Sequence, residues 1–294
     1  MDEEIIKKYK EAGEIAKKVR LFSKDVVKPG VKYLDVCSKI EDKIIALGGE
    51  IAFPTNVSIN EIAAHETARV NDDREIKKEE LVKIDFGVHK EGYIADTALS
   101  FCWDDKHKDL IKASEEALKA AEDTIKFGVE LRKVGKAIED AIKNFGYNSI
   151  KNLSEHGLEH YDLHSGLTIP NFDNSSNAIL EEEMAIAIEP FATSGSGFVI
   201  EGRESDIFSL EGNASLRSPN SRKLFNFIAE EREILPFAKR QLLRKFSLFE
   251  VSSGFVELKK FLKNYPNLKE ETNEPVSQTE NTLLVLKSGN IKTT

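Results

Sequence analysis

The sequence predicts an α/β fold built from two similar halves with a cleft between them. The first observation is an internal repeat. When the chain is shifted by 98 positions, Gly30-Val31 falls on Gly128-Val129 and the segment 40–42 falls on 138–140. The second is a β-hairpin within residues 81–102, where apolar residues alternate along both arms. We therefore expect the halves to pack about a pseudo-twofold axis.

Each half is predicted to begin with two helices. Apolar residues recur at helical spacing over residues 3–27 and 33–47, and again over 105–127 and 131–145. Glycines end these segments at equivalent places in the two halves. Strands are predicted at 182–191 and 280–287. Three further helices (222–233, 237–246 and 256–264) identify residues 195–264 as an inserted helical subdomain, which leaves 1–194 and 265–294 as the main domain.

The hairpin has an aspartate on each arm, within otherwise apolar strands that disfavour this residue. Residues 89–92 (HKEG) form its polar turn. If the turn centres between Lys90 and Glu91, Asp85 faces Asp96 directly on one side of the ribbon. Opposed carboxylates repel at that distance, so the pattern predicts one or two divalent cations between them.

Charge and composition exclude several classes of protein. The chain has 294 residues, a formal net charge of −9 and a pI near 5.4, which argue against nucleic-acid binding as its main role. Two distant cysteines suit a reducing compartment. The N-terminus lacks an apolar signal region, and no apolar run approaches the roughly 18 residues of a membrane span. We expect a cytoplasmic protein without a membrane partner, and a monomer.

Further metal-binding candidates lie in the second half. Glu189 and Glu280 fall in predicted strands, and His156, His160 and His164 are spaced by four residues. Two divalent cations would neutralise four carboxylates, and an added imidazole shifts the preference toward Mn, Fe, Co or Zn. A pair of such ions makes water a nucleophile and polarises a carbonyl, which indicates hydrolysis.

Seven segments in the same order make the chain resemble the archaeal, type II methionine aminopeptidases. They are FPTNVSIN (53–60), AAH (63–65), KIDFGVHKEGYIADTA (83–98), NLSEHGLEHYDLHSG (152–166), AIEPFATSGSG (187–197), YPNL (265–268) and VSQTENTLLV (276–285). The resemblance implies the pita-bread fold. It also implies a metallopeptidase that removes the initiator methionine of nascent proteins when the second residue is small.

The resemblance also assigns the residues of the site. The implied ligands of two metal ions are Asp85, Asp96, His156, Glu189 and Glu280, with Asp96 and Glu280 bridging the ions. Glu189 would also be the general base. His65 and His164 would contact the scissile peptide and stabilise the tetrahedral intermediate. The implied methionine pocket is lined by Phe53, Leu163, Phe191 and Tyr265.

Three residues depart from the pattern of that family. Glu155 stands where a glycine is expected, Asn281 where a histidine is expected, and Glu66 where a tyrosine is frequent. None of them replaces an implied ligand. We expect them to affect the efficiency of the reaction more than its nature, and the ribosome is a candidate docking partner.

Three alternatives remain open. The string His156-Gly-Leu-Glu159-His160 matches the H-x-x-E-H signature of inverted zinc peptidases, although Gly157 weakens the helix which that mechanism needs. Prolidases and aminopeptidases P share the pita-bread fold, but they usually have an extra N-terminal domain, whereas this chain starts at the core. Pita-bread proteins that lost their ligands act as binding modules for RNA or protein.

Overall fold

The computed structural model describes every residue except 182 and 213, which lie within the predicted strand 182–191 and the predicted insert. The helices are α1 (Glu3–Val26), α2 (Tyr33–Ala46), α3 (Lys108–Thr124), α4 (Leu131–Asn144), α5 (Pro219–Glu231), α6 (Lys239–Leu242) and α7 (Leu248–Leu258). The strands are β1 (Glu50–Ile59), β2 (Ile62–Ala64), β3 (Val82–Lys90), β4 (Tyr93–Phe101), β5 (Asn148–Ser149), β6 (Ser154–Glu159), β7 (Asp162–Pro170), β8 (Met184–Ile188), β9 (Phe191–Thr193), β10 (Val199–Glu201), β11 (Ile207–Leu210), β12 (Phe237–Ala238), β13 (Leu262–Asn264), β14 (Leu268–Glu270), β15 (Val276–Gln278), β16 (Asn281–Val285) and β17 (Ile291–Lys292).

The two halves each pack a pair of helices on an antiparallel sheet. In the first half α1 and α2 cover the sheet β1-β3-β4, and in the second α3 and α4 pack beside the sheet β17-β16-β8-β6-β7. Helices α2 and α4 have bounds that differ by the predicted shift of 98 residues. The glycines that follow them, Gly48 and Gly146, have φ values of 81° and 80°, a conformation that side chains with a Cβ rarely adopt. The predicted repeat of helices is therefore confirmed.

The hairpin β3-β4 forms as predicted, but its predicted register is wrong. Each residue of β3 pairs with a residue of β4 two positions beyond the predicted one. Asp85 pairs with Ala98 and Asp96 pairs with Gly87. The turn consists of Glu91 and Gly92 alone, with φ values of 48° and 83°, which is the geometry of a tight two-residue hairpin turn. The two aspartates are thus diagonal neighbours on one face rather than directly opposed.

The halves also meet where the tips of two hairpins touch. The backbone N–H of Tyr161, in the turn between β6 and β7, donates to the carbonyl of Gly92 at 2.9 Å. A ring nitrogen of His160 lies 3.0 Å from the carbonyl oxygen of Glu91. A mixed apolar cluster behind these contacts includes Ile94 and Leu158. The strands of both halves are therefore fixed relative to one another close to the predicted site.

The segment 195–264 contains strands as well as the expected helices. Helices α5 and α7 pack with the sheet β12-β11-β13 around a separate cluster of buried apolar side chains. Within this segment α6 is a short helix that follows β12, and α7 begins at Leu248, earlier than the sequence pattern indicates. A buried ion pair connects the segment to α2, because Arg240 binds Glu41 through two nitrogen atoms. None of the helices described here is both long and apolar enough to cross a lipid bilayer.

Candidate metal centre

Five strands or strand ends deliver the predicted ligands to one place. Asp85 lies on β3 and Asp96 on β4, and His156 lies on β6. Glu189 directly follows β8, and Glu280 directly precedes β16. The pairing of β8 with both β6 and β16 brings their three side chains together. Glu280 is fixed next to the hairpin, because its N–H donates to the carbonyl of Ala98 at 3.0 Å.

Three of these side chains are close enough to share a cation. Ligand atoms of Asp96, His156 and Glu280 all lie within 4.8 Å of one another. Nε2 of His156 is 3.5 Å from Oε1 of Glu189. All five predicted ligands line one cavity of about 330 Å³. All five residues that the family resemblance implies as ligands therefore lie around one cavity.

The carboxylates have the properties of a site that binds cations. Buried oxygens of Asp85, Asp96 and Glu280 have no hydrogen-bond partner among the described residues. Burial raises the pKa of Asp85 to about 7, against a hydrogen bond from Gln278 that lowers it. Burial and the Asp85 charge raise the pKa of Asp96, and burial and the neighbouring carboxylates raise that of Glu280. Oxygens so placed are costly when charged unless a cation neutralises them. The donor set fits divalent metal ions.

The imidazole of His156 is in the protonation state that a ligand needs. It is buried, and burial lowers its pKa to about 4, so the ring is neutral at neutral pH. A neutral imidazole keeps a lone pair available for a metal ion.

Residues that the sequence analysis did not single out hold the carboxylates in place. Gln278 Nε2 donates to Oε2 of Glu189 at 3.1 Å. Thr282 exchanges hydrogen bonds with the backbone of Asp96, at 2.7 and 2.9 Å. Arg20 donates to the carbonyl of Glu280 at 2.9 Å. Gln278 and Thr282 lie two residues from Glu280 on either side. Alternate residues of an extended segment point to the same side, so this spacing was the signal that could have identified them.

Two of the departures from the family pattern are accommodated here. Glu155 is fully buried, accepts a hydrogen bond from the N–H of Glu189, and has its pKa raised to about 8 by burial. Asn281 donates to Glu122 at 2.6 Å and accepts from Arg20 at 3.1 Å. The amide of Asn281 is therefore hydrogen-bonded through both its oxygen and its nitrogen, whereas Oε1 of Glu155 has no hydrogen-bond partner among the described residues.

The histidines divide into two groups. His65 and His164 line the cavity, and the ring of His164 is 4.6 Å from that of His156. Burial lowers the pKa of His65 to about 4. His160 is exposed and bonded to the β3-β4 turn, outside the cavity lining. His156 and His160 lie on a strand and its turn, so the helix that the inverted zinc-peptidase reading requires is absent from this described segment.

The apolar wall of the cavity adjoins the carboxylates. Phe53, Leu163, Phe191 and Tyr265 all line it. Ile207 and Pro236 extend the wall from the segment 195–264, which the sequence analysis did not assign to the site. The cavity therefore combines acidic residues with an apolar wall.

Comparisons with known proteins agree with this geometry. The model of metallopeptidase family M24 matches residues 7–216. The methionine aminopeptidase of Archaeoglobus fulgidus is 42% identical over 294 residues, covering 100% of both chains, and that of Methanocaldococcus jannaschii is 41% identical over 289 residues, covering 98% of both.

Solved structures show the same fold. A thermophilic Arx1 matches with a TM-score of 0.81 at 19% identity, covering 100% of this chain and 91% of that one. The methionine aminopeptidase of Thermotoga maritima matches with a TM-score of 0.71 at 21% identity, covering 100% and 97%. The predicted pita-bread fold is confirmed. The chain belongs to metallopeptidase family M24 and, within it, to the methionine aminopeptidases of the archaeal type.

Proposed function

We propose that this protein removes the N-terminal methionine from newly made proteins whose second residue is small. The observation that carries the proposal is the convergence of four acidic side chains and one neutral imidazole on the floor of a cavity with an apolar wall. The identity of about 40% to archaeal methionine aminopeptidases over nearly the whole chain supports the same activity.

Two divalent cations, of Co, Mn, Fe or Zn, are the proposed cofactors. Asp85, Asp96, His156, Glu189 and Glu280 would hold them, with Asp96 and Glu280 contributing to both. Four carboxylates balance the charge of two such ions, and the single imidazole favours these metals over Mg²⁺ or Ca²⁺. When bound, such cations polarise a peptide carbonyl and make water a nucleophile near neutral pH.

The protein's own residues supply proton transfer and orientation. Glu189 is the proposed general base, and the hydrogen bond from Gln278 to Oε2 leaves Oε1 toward His156. His65 and His164 are proposed to contact the scissile peptide group, since both line the same cavity. Because burial keeps His65 neutral, it would orient the peptide by hydrogen bonding rather than by charge.

The apolar wall is the proposed pocket for the methionine side chain. Phe53, Leu163 and Phe191 are buried, and with Tyr265 they present aromatic and aliphatic surfaces to the cavity. A thioether packs favourably against aromatic rings. The second residue of the substrate would lie beside His164 and the cavity wall, where a bulky side chain would collide.

We also propose how the enzyme is organised in the cell. Residues 1–194 and 265–294 would form the catalytic unit and 195–264 an inserted subdomain, supported by the separate apolar cluster of that segment. The enzyme would act as a monomer in the cytoplasm on the N-terminal peptides of nascent chains. The ribosome is the proposed site of that encounter.

The direct test is release of methionine from Met-Ala-Ser by metal-loaded enzyme. We expect His65→Ala to lower kcat by roughly one to three orders of magnitude. The control is His160→Ala, which leaves kcat nearly unchanged because His160 lies outside the cavity lining.

The three alternative functions predict different results in this assay. A prolidase would instead cleave Met-Pro. Lack of any release by the loaded wild-type protein would favour a binding module, and loss of activity in the His160 variant would favour the inverted zinc-peptidase reading.

A further inference from the structure

Glu66 is a buried acidic residue for which the proposed mechanism has no use. Its side chain is 4% exposed, yet it follows directly after His65. Its Oε1 accepts hydrogen bonds from Arg74 and from Arg203, the latter at 2.8 Å, and its Oε2 accepts from Asn267 at 3.0 Å. Both carboxylate oxygens are therefore engaged by donors, two of which are guanidinium groups.

The three partners of Glu66 come from different parts of the chain. Arg74 lies in the loop between β2 and β3 and is itself held by Asp72, at 2.6 Å. Arg203 follows β10, and Asn267 precedes β14. The N–H of Asn267 in turn donates to the carbonyl of Arg203 at 3.0 Å. One carboxylate thus connects three loops, and the loop of Asn267 also carries Tyr265, which lines the cavity.

The Asn267 loop is also the one that contacts the imidazole of His65. Nδ1 of His65 lies 3.2 Å from the carbonyl oxygen of Pro266, and the rings of His65 and Tyr265 meet edge to face at 5.7 Å. A carbonyl can only accept, so Nδ1 carries the proton and Nε2 is the ring nitrogen left for the substrate. The orientation of the imidazole therefore depends on where residues 265–267 lie.

The backbone of His65 needs support as well. Its φ is 62°, in the left-handed region that residues other than glycine adopt only when their surroundings hold them there. The next residue, Glu66, fixes the backbone at this point. Its carbonyl accepts a hydrogen bond from the N–H of Val57 at 2.7 Å, and its side chain binds Arg74 and Arg203.

We infer that Glu66 is a positioning residue for His65, because its carboxylate ties the backbone next to His65 to the loop that orients the His65 ring. The inference rests on the proposed function, in which His65 contacts the scissile peptide. Arg74 and Arg203 neutralise the charge of Glu66, and with Asn267 they saturate both its oxygens.

The test is a double-variant cycle on metal-loaded enzyme with Met-Ala-Ser as substrate. We expect Glu66→Gln to lower kcat by about ten- to a hundredfold, because a shift of the His65 ring by up to about 1 Å would have an effect of this size. We expect KM to change by less than about threefold. The double variant with His65→Ala should be no slower than His65→Ala alone, since a residue that acts through His65 has nothing left to position.

The matched control is Glu270→Gln, another fully buried carboxylate saturated by loop donors but without contact to residues 265–267 among its hydrogen bonds. It should lower stability and leave kcat unchanged. Arg203→Met, which removes one partner at a half-exposed position, should give a smaller fall in kcat than Glu66→Gln.

Two results would overturn the inference: a wild-type kcat in Glu66→Gln, or an equal further slowing when Glu66→Gln is added to His65→Ala. Failure of the proposed function is distinguishable, because then wild-type enzyme would release no methionine or His65→Ala alone would have no effect.

Discussion

Replacing Asp85 by asparagine should stabilise the metal-free protein and remove its response to metal. Asp85 has a buried oxygen with no hydrogen-bond partner in the described chain, and its pKa is raised from the usual 3.8 to about 7, chiefly by burial. At pH 8, above that pKa, the metal-free folded state bears the whole cost of the charge. A pKa difference of this size corresponds to at most about 4 kcal/mol.

The sign of the effect follows from linkage. The pKa of Asp85 is higher in the folded state than in the unfolded state, so stability falls as pH rises from about 4 to about 7, and the full loss is present above pH 7. Asparagine is nearly the same size and carries no charge, and we expect metal-free Asp85→Asn to be about 2–4 kcal/mol more stable than metal-free wild type. With metal at a hundred times its dissociation constant, wild type should gain about 2.7 kcal/mol and the variant far less.

The assay is urea unfolding at pH 8, with chelator and then with added Co²⁺ or Mn²⁺. Exposed Asp73→Asn is the control for loss of one negative charge, and it should follow wild type in both conditions. If metal-free Asp85→Asn is no more stable than metal-free wild type, the argument that burial makes the Asp85 charge costly in the absence of a cation is wrong. An unchanged stabilisation by metal would contradict the assignment of Asp85 as a ligand.

Two further predictions concern the scaffold. Arg240→Met leaves the fully buried Glu41 without its main partner, so the free energy of unfolding at pH 7 should fall by roughly 3–5 kcal/mol; adding Glu41→Leu should recover much of this loss, and an additive loss would contradict the pairing. His89 is buried, accepts from the N–H of Gly92 at 3.2 Å, and has its pKa lowered to about 3, chiefly by burial. Its contribution to stability is complete above pH 6.5 and is lost as pH falls toward 3, by about 2 kcal/mol at pH 5. His89→Asn should reduce the stability difference between pH 7 and pH 5 by this amount in urea unfolding, and an unaltered difference would show that His89 is not the group responsible.

Much of the fold could be predicted from the sequence because its signals are local. The period of apolar residues and the positions of glycines located α1 to α4 within a few residues, and the shift of 98 residues related α2 to α4. Strands in the segment 195–264 were missed, since β10 to β13 are only two to four residues long and too short to show alternation.

The exact position of the hairpin turn could not be predicted from local sequence signals. Its turn was placed one residue too early, because the sequence does not say whether Glu91 or Lys90 takes a positive φ. The structure assigns it to Glu91, whose carbonyl is met by His160. For the same reason His89, which belonged to the predicted polar turn, is a buried strand residue.

The sequence by itself determined which residue types could form the centre: acidic side chains inside apolar strands, and a histidine that a family resemblance singled out from three at equal spacing. Only the tertiary structure decided that Asp96, His156 and Glu280 lie within 4.8 Å of one another and that His160 lies outside the cavity lining. It also decided that Gln278 donates to Glu189 and that Asn267 donates to Glu66. The physical reason is that the residues of the centre are up to 195 positions apart, between Asp85 and Glu280, and their approach depends on the pairing of β8 with β6 and β16, which no local pattern specifies.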